Sequence, residues 1–299
     1  RYTQKDTYGS HGTSRFQNPK EIKNNYLQDN FGLFLGSDRQ NLNYSIGMPG
    51  AYHPTNSSLN MQTAVFGSPG SFKTTSFVLP NIFHIPFMYK NLKEKADLII
   101  TDPKSELYSL TANYLTGNNY DVHVLDFINL KYGDSLNPIN YISDDRELME
   151  IAEGYIASVS DSRTTIHSSD SFWEESEGQL LGALIGFVKQ IYPKGQQTFS
   201  EVLKILTSEN VRNPEKALKF FKEYDIKGSP LQLWNNYLLA EDKVRTNILI
   251  GLATKLKLFS ISGVKNITGT TTIDIKKIGA KKEKPIALFI LMPDKDRTF

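Results

Sequence analysis

One change of pattern constrains this chain more than any other feature. Between Gln62 and Phe127, short apolar runs alternate with helical periodicity. From 145 to 260 there is almost no strand signal, and a single apolar run then returns at Pro285 to Met292 (PIALFILM). In the first stretch, Thr63 to Phe66 reads as a buried strand and a helix is expected from Lys73. Ala96 to Thr101 (ADLIIT) reads as a second strand and Tyr120 to Phe127 as a third. Between those two, Lys104 to Leu115 carries Leu107, Leu110, Thr111 and Tyr114 at helical spacing, with Gly117 as the expected stop. Strand–helix–strand–helix–strand predicts a parallel sheet covered by helices on both faces. Helical periodicity then runs through Glu147 to Val159, Ser171 to Ile191, Ser200 to Leu206, Pro214 to Tyr224 and Lys243 to Phe259. One returning strand cannot make a domain alone. The economical reading is an α/β domain from 31–144 and 261–299 carrying an inserted all-helical domain, 145–260. Two consecutive domains are the rival. The same reading places Ile286 to Leu291 beside the strand that leads into the loop after Phe66. Residues 1–30 read as an extended arm, with turn-like Tyr8-Gly9-Ser10 and Gly12-Thr13-Ser14, and Phe31 to Gly36 as a short edge strand.

Composition narrows the class. With 39% hydrophobic and 22% charged residues over 299 positions, the chain can bury a core and is not wholly disordered. The absence of cysteine excludes disulfides and thiolate metal sites and permits a cytoplasmic location. No apolar run approaches the ~20 residues of a membrane span. The best, Phe77 to Met88, is interrupted by Pro80, Asn81, His84 and Pro86. Lys plus Arg, 34, nearly balances Asp plus Glu, 32, which neither demands nor excludes nucleic acid. Starting at Arg1 and stopping at Phe299, just past an expected strand, the chain reads as a fragment whose α/β domain is incomplete at its C-terminus.

The segment Gly67-Ser68-Pro69-Gly70-Ser71-Phe72-Lys73-Thr74, followed by Thr75, has the spacing of a phosphate-binding loop. Small residues let successive backbone N–H groups converge on a triphosphate, and the following helix presents its positive end to the same charge. Lys73 would reach the outer phosphates of ATP, and the Thr74 hydroxyl would hold Mg²⁺ through the nucleotide. Phe72 stands where the motif has its second glycine. A turn needing positive φ would strain an aromatic residue there. The alternative is a Ser/Gly turn with a surface lysine. Asp102, at the end of the ADLIIT strand, could be read as an acid of Walker B type. Pro103 and Lys104 follow instead of a second acid, so a cap on the helix starting near Lys104 is preferred.

Several segments together resemble the type IV secretion (conjugative) coupling proteins, TraG-like P-loop ATPases. They are Tyr8-Gly9-Ser10, Gly67 to Thr75 running on to Ile82, Thr101 to Tyr108, Asp134 to Pro138, Ser171-Phe172-Trp173-Glu174, and Leu288 to Asp294. The resemblance implies a RecA-like P-loop nucleotide-binding domain with an all-helical domain. It implies an ATPase that brings relaxase-bound DNA or protein to a secretion channel, with ATP and Mg²⁺ as cofactors. It also implies a homo-oligomeric ring at the cytoplasmic face of the cell membrane, anchored by an N-terminal segment this chain does not contain. Family members commonly carry glycine at the position of Phe72, and their Walker B acids would fall beyond Phe299. This chain alone is therefore expected to bind nucleotide weakly, to hydrolyse it negligibly and to self-associate weakly. A receptor or adaptor that docks cargo through the helical domain without hydrolysis is the competing function. A septal DNA translocase would share the loop but not the Asp102 segment or the Phe172-Trp173 helix.

The remaining signals are weaker. Lys276, Lys277, Lys281, Lys282 and Lys284 form a basic cluster that reads as a solvated turn, or as a contact to DNA phosphates. Phe172 and Trp173 read as core anchors. Glu174, Glu175 and Glu177 read as one exposed helix face, and Ser158 to Ser171 as a loop. The histidines His11, His53, His84, His123 and His167 show no metal-ligand spacing, and His123 reads as a satisfied structural residue.

Overall fold

The computed structural model describes residues 33–36, 51–53, 62–88, 91–160, 168–280 and 283–293. The expected arm 1–30 lies outside the described residues, as do His11, His167, Lys281, Lys282 and Asp294. The strands are β1 (Leu33–Gly36), β2 (Ala51–His53), β3 (Leu98–Thr101), β4 (Asp121–Asp126) and β5 (Ile286–Leu291). The helices are α1 (Leu79–Met88), α2 (Glu106–Gly117), α3 (Asp145–Val159), α4 (Ser168–Ile191), α5 (Phe199–Leu206), α6 (Glu209–Arg212), α7 (Pro214–Glu223), α8 (Ser229–Leu239), α9 (Asp242–Leu256) and α10 (Ser262–Gly269).

The class is α/β. β3, β5 and β4 form one sheet in that order. Asp121 N–H donates to Pro285 O at 2.8 Å and Phe127 N–H to Leu291 O at 2.9 Å, so β4 and β5 advance together and are parallel. At β3, the Asp97 carboxylate accepts from Ile286 N–H, and Asp102 N–H donates to Ile290 O at 2.9 Å, again in parallel sense. Two expectations are corrected here. Thr63 to Phe66 is not a strand: 62–68 has no regular structure, and Phe66 is 92% exposed. Ile286 to Leu291 therefore does not pair beside a strand leading into the loop, but lies between β3 and β4. A short apolar run does not define a strand; a hydrogen-bonded ladder does.

The chain divides into two compact units, and the boundary crosses all three strands of this sheet. The first holds the described residues up to Leu98, with Glu106–Val122 and Gly279–Ala287. In it, β1 pairs antiparallel with β2, Leu33 opposite His53 and Phe34 opposite Tyr52, as a separate two-stranded sheet. α1 packs on α2 through Phe83 and Tyr114, edge to face at 4.8 Å, and the Tyr114 hydroxyl donates to Phe83 O at 2.7 Å. Asp97 pins the chain ahead of β5, accepting also from Gly279 N–H at 2.7 Å. α2 stops at Gly117, as expected, and the chain then turns through Asn119 at φ 66°, with Tyr120 N–H reaching back to Leu115 O.

The second unit contains the ends of the three strands and everything from His123 to Ile278. Between β4 and β5 its described residues form helices and 3₁₀ turns only. Local sequence sets their starts: the Asp144 carboxylate accepts from Glu147 N–H while Glu147 accepts from Ser143 N–H, a reciprocal cap on α3. Thr198 caps α5, and Asn213 caps α7 ahead of Pro214. One aromatic-rich core joins the helices. Phe221 stacks on Trp234 at 4.4 Å, Phe187 on Phe220 at 4.7 Å and Phe199 on Phe259 at 4.8 Å. Trp173 packs against this core, whereas Phe172 is 53% exposed and meets the Trp173 ring edge to face at 5.3 Å without joining the core. The glutamates do not share an exposed face either: Glu177 is buried and paired with Lys255, because α4 turns that side toward α9. Ser168 to Ser171 already belongs to α4 and is not loop.

The chain enters and leaves this helical stretch at one place. Ser135 N–H donates to Thr272 Oγ1, Thr272 N–H returns to Ser135 O, and Thr270 Oγ1 bonds Ser135 Oγ at 2.7 Å. Asn137 N–H and Asn140 Nδ2 both donate to Thr271 Oγ1. Asp134 accepts from Val124 N–H, the Thr272 hydroxyl and His123 Nδ1. Burial opposes its charge, but these hydrogen bonds together with His123 hold its carboxyl below the usual range. His123 is thus a satisfied structural residue.

Candidate functional site

Ser68 to Ser71 form a tight turn in which Ser71 N–H donates to Ser68 O at 3.1 Å. Pro69 at its second position and Gly70 at its third, with φ 79°, are the residues a type II turn requires. A side chain at Gly67 would meet Ser71 Oγ, so the fold-back favours glycine there as long as the Ser71 hydroxyl keeps this rotamer. Phe72 follows at φ 59° and is 74% exposed, and Lys73 then enters the helical region at φ −52° and ψ −45°. A left-handed residue followed by a right-handed one turns consecutive N–H groups into a concavity that can receive an anion.

Lys73 closes this concavity from one side. Its Nζ donates to Gly67 O at 2.8 Å and Ser68 O at 3.0 Å, with Ser71 Oγ at 3.4 Å. The ammonium group therefore sits over the loop's own carbonyls. Thr74 opens a wide helical turn, Thr74–Val78, in which Leu79 N–H reaches Thr74 O across five residues. Such π turns recur at functional sites. Thr75 Oγ1 donates to Phe72 O at 3.1 Å, and Ser76 N–H donates to the same oxygen at 2.8 Å. Two donors thus hold the carbonyl of the strained residue.

Sequence reasoning missed what holds the helix behind the loop. Asn81 is buried, and its side chain makes both backbone bonds of Phe34: Oδ1 accepts from Phe34 N–H at 2.7 Å and Nδ2 donates to Phe34 O at 2.9 Å. It also donates to Phe77 O at 2.8 Å. A carboxamide carries donor and acceptor side by side, as a peptide does, so Asn81 substitutes for a strand partner and ties α1 to β1. The one available signal was an asparagine inside an apolar helical run.

Asp102, Lys276 and Lys277 lie in the second unit, and Lys284 in the first. Asp102 is buried beside β5, but α2 starts at Glu106, two residues beyond the expected Lys104, with Ser105 at φ 58° between. Lys276 pairs with Glu147 at 3.7 Å and lies over the Tyr141 ring, while Lys277 is exposed. Among the described residues no group of His, Asp or Glu side chains could hold a metal ion by itself, and no single helix is long and apolar enough to cross a membrane.

A family model described as type IV secretory system conjugative DNA transfer matches residues 16–299. No curated protein matches the chain.

Proposed function

This chain belongs to the type IV secretory system conjugative DNA transfer family, and on that premise we propose that it is the nucleotide-binding part of a coupling ATPase that brings relaxase-bound DNA or protein to the secretion channel. The described α/β sheet would be the RecA-like core, and the helical stretch an inserted cargo-facing domain. The whole protein would act as a homo-oligomeric ring at the cytoplasmic face of the membrane. The observation that carries the reading is the loop Gly67 to Thr75, in which a type II turn, a left-handed residue and a helix start converge on Lys73.

The chemistry follows from those residues. The N–H groups after Phe72 and the positive helix end attract the β- and γ-phosphates of ATP. Lys73 would exchange the carbonyls of Gly67 and Ser68 for phosphate oxygens, a stronger charge-assisted bond. The Thr74 hydroxyl would help hold Mg²⁺ beside the phosphates. Phe72 already stands in this backbone region at φ 59°, where a non-glycine residue costs about 1–3 kcal/mol, so the cost falls on the stability of the loop and not on the binding step. Phe72 in place of the motif's second glycine supports a second reading, a nucleotide-poor receptor that docks cargo through its helices.

Calorimetry with ATP–Mg²⁺ separates the two. The wild type should bind weakly, and Lys73→Ala should lose all measurable binding. Phe72→Gly should leave affinity within about twofold and stabilise the chain instead, because the loop bears the strain before nucleotide arrives. Equal affinity in wild type and Lys73→Ala would remove the phosphate-loop reading.

A further inference from the structure

The second unit carries a groove of about 540 Å³ at the foot of the helical stretch, remote in sequence from the Gly67 loop. Asn140, the end of α4 with Lys189, the turn Lys194-Gly195, and Thr270-Thr271 line it, and no acidic residue does. Its donors are only partly used. Lys189 Nζ donates to Ile142 O at 2.9 Å and Ile139 O at 3.4 Å, which engages two of its three protons. Thr271 Oγ1 already accepts from Asn137 N–H and Asn140 Nδ2, so both lone pairs are occupied and its hydroxyl proton is left to donate. Lys194 makes no ion pair among the described residues, and Gly195 adds a side-chain-free approach. Lys189 is only partly exposed. Burial, then repulsion from Lys194, hold its ammonium below the usual lysine range, while Glu147 acts in the opposite sense. Glu147 itself is drawn to Ser143 and Lys276 and does not line the groove.

We propose that this groove is an oxyanion site for a phosphate group, held between Lys189 and Lys194 with the Thr271 hydroxyl as a third donor. A tetrahedral oxyanion offers acceptors in several directions at once and separates two ammonium groups that otherwise repel. No carboxylate lines the groove to repel it, and the Ile139 and Ile142 carbonyls are what it must compete with at Lys189. The phosphate could come from the backbone of a single-stranded nucleic acid or from a small free phosphate. The shared chemistry is the same, and the test distinguishes the sources.

Fluorescence anisotropy with a mixed-sequence single-stranded DNA 20-mer reads the first source. At about 50 mM salt, Lys194→Glu and Lys189→Met should each weaken binding roughly fivefold or more, and the salt slope should fall by about 0.7 for each phosphate no longer neutralised. Lys243→Glu, the same charge change on exposed α9 surface outside the groove, should alter affinity less than about twofold. Phosphorus NMR line broadening of inorganic phosphate reads the second source, and Lys194→Glu should abolish it. Weakened DNA binding assigns the site to a nucleic-acid backbone. Unchanged DNA binding with abolished phosphate broadening assigns it to a small phosphate. If Lys194→Glu changes neither, the proposal is overturned. Lys189 also ties two carbonyls, so its variant is open to misfolding, and exposed Lys194 decides. Neither arm contains ATP, so the result is independent of the Gly67 loop.

Discussion

At Phe72 the backbone holds φ 59° while the ring is 74% exposed, so packing returns little of the ~1–2 kcal/mol this conformation costs an L-residue. The missing glycine made that position legible in the sequence. Ser105, Asn119 and Asp225 share the left-handed conformation and gave no such warning. Asn119 and Asp225 close helices: Tyr120 N–H returns to Leu115 O, and Ile226 N–H to Phe221 O. Glu177 was misread for a different reason. Its neighbours in sequence are acidic and polar, but its partner Lys255 lies 78 positions away. The carboxylate is 5% exposed and packs against Gly251, where any side chain would meet it. Glu177→Ala should lower stability by about 3–5 kcal/mol, because Lys255 would keep a half-buried charge without its partner. Adding Lys255→Met should restore most of that loss. Denaturant melts of the single and double variants check this, and a single-variant loss under ~1 kcal/mol would show the pair to be unimportant.

Among the elements, long periodic helices were the readable ones. α3, α4, α5 and α7 appear within a few residues of their expected limits, because apolar spacing and capping residues are local properties. α8 was missed. Its Pro230 suggests a turn, yet at the first helical turn proline has no N–H to lose, and Trp234 and Tyr237 then face the core. Thr63 to Phe66 failed in the opposite sense, since a strand is defined by a partner that periodicity cannot reveal. The contact of α4 with α8 depends on small residues, Gly182 facing Leu233 and Gly186 facing Pro230. A Cβ at Gly186 would collide with the Pro230 ring, whose atoms cannot swing away. Gly186→Ala should destabilise by about 1–3 kcal/mol despite alanine's better helix propensity. Gly154 in α3 has open space around it, and Gly154→Ala should stabilise by up to ~1 kcal/mol. Thermal melts of both variants test the contrast; equal shifts would mean that α4 and α8 are not in tight contact.

On the scale of the chain, the interval between β4 and β5 was the most legible feature, because an absence of strand signal over so long a stretch is hard to imitate. The seam joining its two ends was not. Thr270-Thr271-Thr272 looks like any polar loop, and its partners Ser135, Asn137 and Asn140 stand 131 to 137 positions earlier. The Gly67 loop was legible as a motif, whereas Asn81, which fixes the helix behind it, was not, because its partner Phe34 is 47 positions away. The seam has a kinetic consequence. Adjacent strands β4 and β5 cannot meet until a loop of that length closes, and the entropy of closure rises by (3/2)RT ln n. Helix contacts within the loop are far more local and form sooner. Pulsed hydrogen exchange during refolding should therefore protect Leu184 and Leu252 before Ile290; simultaneous protection would contradict this order. The helical stretch then serves the sheet as a spacer that shortens itself: by condensing first, it brings Ser135 and Thr272 together and turns a distant encounter between strands into a local one.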